Sequence, residues 1–138
     1  MTLEIEFFNI WAVLAGFLSN MVIGALWYSP LLFGTIWLKL IGKTADDITK
    51  QDANRSMMFS VIPGVLLSVL MAVLLGFIGP RTVLDAIGIA TLVSAGFIGM
   101  SALNLVIYEG RSFKLLLINV GYSLVSLNVL AVILTLWK

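Results

Sequence analysis

The chain has 138 residues, of which 61% are apolar and only 11% charged, and its net charge is +1. A soluble domain carries about a quarter charged residues. There is no Cys and no His, which removes thiol chemistry, disulfides, the commonest general base and the usual zinc, copper and haem ligands, and there is no basic patch of the kind that holds nucleic acid.

A bilayer core of roughly 30 Å needs about 20 apolar helical residues. Four apolar runs have that length, at 8–28, 57–78, 83–107 and 113–137, with Asp85 and Lys114, each near the start of its run, the only charges in them. They do not alternate apolar with polar residues as barrel strands do, so helices are expected. The expected fold is all-α, a polytopic membrane protein forming one domain over 1–138. It has four transmembrane helices and a short interfacial or re-entrant helix in the first loop.

The first run follows "MTLEIEFF", where Glu4 and Glu6 stand in place of the Lys or Arg of a secretory signal. It is expected to be retained as the first span. Ser29 followed by Pro30 then reads as a helix start, a cap before a proline whose missing N–H costs nothing at the first position. Gly42 is the expected stop, with Lys39 near the negative end of the helix dipole. A helix over 30–41 would be about 18 Å long at 1.5 Å per residue, too short to cross. It is apolar nearly all round, so it should lie in the interface or fold back into the bilayer.

The composition then turns polar. Thr44 with Asp47 is a capping-box pattern, and Asp46 and Asp47 suit a first turn. This predicts a polar helix over 45–56 that runs into the second span, with a kink where Pro63 meets the carbonyl of Phe59. Gly79 and Pro80 close the second span. Thr82 with Asp85 starts the third, and Ser112 caps the fourth after the turn at 109–114. Such short connections make the last three spans an antiparallel run.

Six of the eight Lys and Arg residues (Lys39, Lys43, Lys50, Arg55, Arg111, Lys114) fall in the first and third loops, against Arg81 and Lys138 on the other side. The positive-inside rule therefore puts those loops in the cytoplasm and both termini outside.

Spans pack through small residues, because lipid supplies little hydrophobic force between helices. Ala12, Gly16, Asn20 and Gly24 mark one stripe, and Ser60, Gly64, Ser68, Ala72 and Gly76 another. Ala86, Ala90 and Ser94, with Ala95 and Gly99, mark the third span. These stripes serve either packing inside the bundle or a seam between protomers. The polar groups inside the spans include Asn20, Asn104, Asn119, Tyr122, Ser123 and Ser126. They either bond helix to helix or line a path for a small uncharged ligand. No Asp, Glu, Lys or Arg sits at mid-membrane, which argues against ion-driven transport.

The carboxylates lie near the ends of the runs. Asp46, Asp47 and Asp52 read as a solvated face and lack the glycine turn of a calcium loop. The glycines are scattered and build no phosphate cradle. No catalytic, cofactor-binding or metal-ligating residue is expected, and no enzyme.

"GALWYSPLLFGTIWLKLIG" (24–42) and "YEGRSFKLLLINVGYSLVSLNVLAVILTLW" (108–137) resemble the two ends of a bacterial membrane family known as domain of unknown function 1761. The likeness covers nearly the whole chain. Its more specific marks are Trp27-Tyr28-Ser29-Pro30, the Phe33-Gly34 pair with Trp37, and the Glu109-Gly110-Arg111 turn. The resemblance implies a four-span bacterial membrane protein and no particular activity. Combined with the topology, it gathers Trp27, Tyr28, Trp37, Glu109 and Arg111 at the cytoplasmic face. Trp27 and Trp37 are expected as interfacial anchors. Tyr28, Glu109 and Arg111 are expected as a polar cluster beneath the 30–41 helix.

The function expected from all this is an oligomeric channel-like or passive small-solute transport protein of the bacterial inner membrane. The alternative is an accessory or structural subunit of a larger membrane complex. A sensor or lipid-binding role through the interfacial helix is third. The expected partners are the bilayer and a second copy or a larger complex, with no cofactor and no nucleic acid.

Overall fold

The computed structural model describes residues 8–137. Glu4, Glu6 and Lys138, and with them the expected placing of both termini, lie outside the described residues. Helix α1 (Ile10–Trp27) begins at Asn9, whose side-chain oxygen accepts the Trp11 N–H at 3.0 Å. A short α2 (Gly34–Leu40) follows, then one 3-10 turn at Ala45–Asp47 and the long α3 (Lys50–Ile78). The third span is made of α4 (Val83–Thr91), a π-helical segment (Leu92–Gly99) and α5 (Met100–Glu109). Helix α6 (Phe113–Leu136) closes the chain. Among the described residues there is no strand.

Four helical stretches, Ile10–Trp27, Lys50–Ile78, Val83–Glu109 and Phe113–Leu136, are long and apolar enough to cross a membrane. Their outer surfaces are apolar, with Leu84 at 77%, Phe97 at 68% and Met58 at 67% exposure. Helix α6 is the hub: α1, α3, α4, the π-helical segment and α5 all pack on it.

The closed part of the core lies at the end of the bundle that carries the turn between α3 and α4. There Ala12 of α1, Ala72 and Leu75 of α3, Ala86 and Ala90 of α4, and Leu130, Ala131 and Leu134 of α6 are all fully buried. Small residues let these backbones approach. Leu130 fills the space that a Cβ on Gly16 would need. Gly16, Ser68 and Gly76 are buried in the same half. In the third span, Ala86, Ala90, Ser94 and Gly99 are buried, whereas Ala95 faces out.

Three local features differ from the sequence reading. The Thr44–Asp47 capping box forms, but it caps only the 3-10 turn; the long helix starts from a second box, in which Thr49 Oγ1 accepts the Asp52 N–H at 3.0 Å. The polar helix expected over 45–56 therefore begins at Lys50, and from there it runs unbroken into the second span with Pro63 inside it. The 30–41 helix is shorter than expected, because Ser29 does not cap forward. Its hydroxyl turns back and donates to the Leu26 carbonyl at 2.7 Å. The Leu32 and Gly34 N–H groups both bond the Ser29 carbonyl, so 30–33 is a turn and α2 starts at Gly34. Gly34 is required there, since a Cβ would meet Ser29 C at 2.5 Å and its oxygen at 2.6 Å.

The stop at Gly42 follows the expected chemistry. Gly42 is left-handed, its N–H reaches the Lys39 carbonyl, and the Lys43 N–H reaches the Leu38 carbonyl, the paired bonds of a Schellman end.

The third correction is the π-helical segment in the middle of the third span, which also runs on to Glu109. Ser94 Oγ donates to the Ala90 carbonyl at 2.7 Å and lies 3.3 Å from the Thr91 carbonyl. A hydroxyl that takes these carbonyls competes with the regular helical ladder, and wide π turns inside α-helices are a recognised outcome of such interruption.

Candidate functional site

In the half of the bundle near α2, the wall formed by α3 is thin. Residues 50–59 and 61–63 are all exposed, and α3 buries its first residue only at Ser68. Helix α1 meets α3 closely at Phe17, whose ring lies 3.0 Å from where a Gly64 Cβ would be. Beyond that point the two helices leave a cleft of about 590 Å³ between them. Its walls are α1 over 20–28 and α3 over 53–67, with Tyr122 of α6 and Trp37 of α2. The α3 wall runs roughly 21 Å along the helix at 1.5 Å per residue.

The cleft has small residues where bulk would fill it: Gly24 and Ala25 on α1, and Ala53, Ser56, Ser60 and Gly64 on α3. Met21, Met57, Pro63 and Leu67 make the rest of the helical wall apolar, and no charged side chain lines it. At the α2 end three rings stand together, Trp37 at 5.0 Å from Tyr28 and Tyr28 at 5.5 Å from Tyr122.

Three of its hydroxyl hydrogens are committed. Tyr28 Oη donates to Asn119 Oδ1 at 2.8 Å, and Tyr122 Oη donates to the Asn20 carbonyl at 3.2 Å. Ser60 Oγ donates to the Met57 carbonyl at 2.7 Å. Exposed Ser56 and half-buried Trp37 keep their donors free at the rim, and among the cleft residues the one buried side chain without a partner is that of Asn20. It is 4% exposed, and neither Nδ2 nor Oδ1 has a partner. Ser68 Oγ, in the same α1–α3 seam, is likewise buried and unpartnered. A buried amide without partners costs free energy in any apolar surrounding.

The expected cluster of Tyr28, Glu109 and Arg111 is not a single unit. The Tyr28 phenol goes to Asn119, while Arg111 Nε donates to Glu109 Oε2 at 2.8 Å within their own turn. That ion pair is half-exposed on both sides, and such pairs contribute little. Asn119 links the two regions, because it and Arg111 line a small cavity of about 50 Å³ between α5 and α6.

Of the expected lining set, Asn20 and Tyr122 reach the cleft. Asn104 does not: it is exposed on the outside of α5. Asn119 is also exposed and serves Tyr28. Ser126 is buried, with its hydroxyl donating to the Ser123 backbone carbonyl at 3.4 Å, and neither serine lines the cleft. Trp27, expected as an interfacial anchor, ties α1 to α6. Its Nε1 donates to the Ile118 carbonyl at 2.9 Å and its ring packs on Gly121 of α6. Trp37 forms the cleft wall. Gly24 faces Tyr122, whose Oη lies 3.3 Å from a Cβ built there.

The residues that sequence reasoning did not assign to the site are Met21, Ala25, Ala53, Ser56, Met57, Pro63 and Leu67. A signal was present: small residues on both facing helices close a seam if the backbones meet and leave a void if they diverge. Among the described residues, no group of His, Cys, Asp or Glu is placed to hold a metal ion.

Four apolar helices of crossing length, three of them packed around the fourth, α6, give the chain the make-up of a helical multi-pass membrane protein. Its cleft is uncharged and bounded by the closed core. The family model described as "Protein of unknown function (DUF1761)" matches residues 11–135, and the chain belongs to that family. No curated protein and no solved structure matches the chain.

Proposed function

We propose that this is a non-catalytic membrane protein of the passive-transport type, in which a small uncharged solute occupies the α1–α3 cleft and crosses when the seam beyond it parts. The observation that carries the reading is the buried, unpartnered amide of Asn20, a lining residue of a largely apolar, uncharged cleft. The volume of about 590 Å³ falls in the range of small-molecule sites. Nothing in the lining could hold a coupling ion by charge, so transport would follow the solute's own gradient. The closed core ahead of the cleft supports a gated carrier over an open pore.

In this reading the protein sits in a bacterial cytoplasmic membrane. The cleft mouth, α2 and the 109–114 turn then face the cytoplasm, a sidedness that the excess of Lys and Arg near them supports. The test is uptake of labelled neutral solutes into proteoliposomes. Flux above that of empty liposomes, saturable and independent of pH and sodium gradients, supports it. Absence of flux across a panel of small neutral amides and alcohols overturns it.

A second reading has its own observation. Asn104 is exposed on the outer side of α5, beside exposed Ser101. A polar pair on the lipid-facing side of a span gains from a partner helix. We propose that this face meets a second copy of the chain or another membrane subunit, the role of an accessory protein. Cross-linking of an Asn104→Cys variant in native membranes tests it: a product no larger than the monomer counts against the seam.

A further inference from the structure

We infer that the cleft selects uncharged amphipathic molecules whose polar end carries a hydrogen-bond donor and acceptor side by side, of which the primary carboxamide is the simplest. The inference rests on the cleft being a ligand site and goes on to name the ligand's chemistry. Three observations lead to it. No charged side chain lines the cleft, so a charged head would enter an apolar site unpaired, at high cost. The phenols of Tyr28 and Tyr122 and the Ser60 hydroxyl already spend their hydrogens on protein acceptors. Of the polar atoms lining the cleft, Asn20 Nδ2 and Oδ1 are the ones both buried and unpartnered.

One amide is complementary to another. An Asn side chain offers a donor and an acceptor about one bond angle apart, and it is satisfied at both atoms by a group offering the reverse pair, the geometry by which Asn reads adenine. An ester or ketone has only acceptors, so it pairs with Nδ2 and leaves Oδ1 orphaned. A carboxylate brings the same defect and a charge. The ligand's apolar body then lies along Met21, Ala25, Met57 and Leu67. The amide atoms of Asn20 have essentially no surface open to water in this state. Engagement therefore requires the α1–α3 seam to part slightly, which the unbranched Met21 and Met57 side chains accommodate.

The experiment uses the full chain in proteoliposomes and an octanamide bearing a diazirine on its chain. Cross-linked peptides are mapped by mass spectrometry, with unlabelled octanamide, methyl octanoate and octanoate as competitors. The inference expects labelling on α1 and α3 residues of the cleft. It expects octanamide to compete roughly three- to tenfold better than the ester, and octanoate least of all. Asn20→Leu, which keeps the branched shape, should bring amide and ester to equal potency. Labelling scattered over the lipid-facing surface overturns the inference. So does equal competition by amide and ester in the unaltered protein, a result that needs no variant to fold. Saturable, amide-selective labelling without octanamide flux would overturn the transport reading while supporting this one. Flux with no amide preference would do the reverse.

Discussion

Replacing Asn20 by Leu should stabilise the protein, although the change deletes a polar group at the proposed site. Leu has the same number and branching of side-chain heavy atoms as Asn, so the seam between α1 and α3 keeps its shape. What changes is the pair of buried, unpartnered atoms at a residue only 4% exposed. An orphaned buried polar group costs about 1–3 kcal/mol in soluble proteins. Hydrogen bonds inside membranes average only about 0.6 kcal/mol and reach about 1.7, so the lower end applies and a gain of about 1 kcal/mol is expected. The contrast is Tyr28→Phe, which removes a made bond to Asn119 while keeping the ring; it should lose about 0.6 kcal/mol. Reversible unfolding of the purified protein in mixed micelles, titrated with a denaturing detergent, measures both. A loss of about 1 kcal/mol or more for Asn20→Leu would mean that the folded protein already satisfies the amide, and the account of a free amide in the cleft would fail.

Two glycines should respond with opposite signs. Gly16→Ala should cost about 1–3 kcal/mol by overpacking, because fully buried Leu130 occupies the space its Cβ needs. Gly88→Ala meets nothing within 4 Å and should stabilise by up to about 1 kcal/mol through helix propensity; the same unfolding titration reads both. Asp47 is held below the usual carboxylate range, first by the Thr44 backbone N–H and then by the Thr44 hydroxyl. Because its folded pKa is depressed, the turn it stabilises is fully favoured above the ordinary carboxylate pKa. That contribution is lost as pH falls through the lower folded value. A carboxyl NMR titration should show the low midpoint, and Thr44→Ala should remove only part of the shift, since the backbone bond remains.

The spans and their ends were legible because their causes are local. Apolar runs of crossing length, Thr82 with Asp85, Ser112, Gly79 and Gly42 each act within a few residues, and each forms as the sequence reading expected. Competing local signals were harder to rank. Thr44 with Asp47 and Thr49 with Asp52 both form capping boxes, and only the structure shows that the second starts the long helix. Ser29 could cap forward or bond backward, and it bonds backward to Leu26. The cleft depends on the relative tilt of α1 and α3, which no periodicity encodes. The step of four residues through Ser60, Gly64, Ser68 and Ala72 looks uniform in sequence. In the fold its second half closes against α1 and α6 and its first half borders a void. The π-helical segment coincides with a Ser94 hydroxyl that takes the Ala90 and Thr91 carbonyls, and a single serine in an apolar run does not announce that choice.

Cysteine accessibility tests the cleft most directly, since the natural chain has no Cys. A thiol reacts as its thiolate and so needs water. Ser60→Cys in the cleft wall and Ala72→Cys in the closed core are compared with a membrane-impermeant thiol reagent applied to one side of the membrane at a time. The account predicts that Ser60→Cys is modified much faster from the side bearing the 109–114 turn than from the other. It also predicts that octanamide slows this modification and that Ala72→Cys stays inert. A Ser60→Cys protein as inert as Ala72→Cys, or one modified without protection by octanamide, would contradict it.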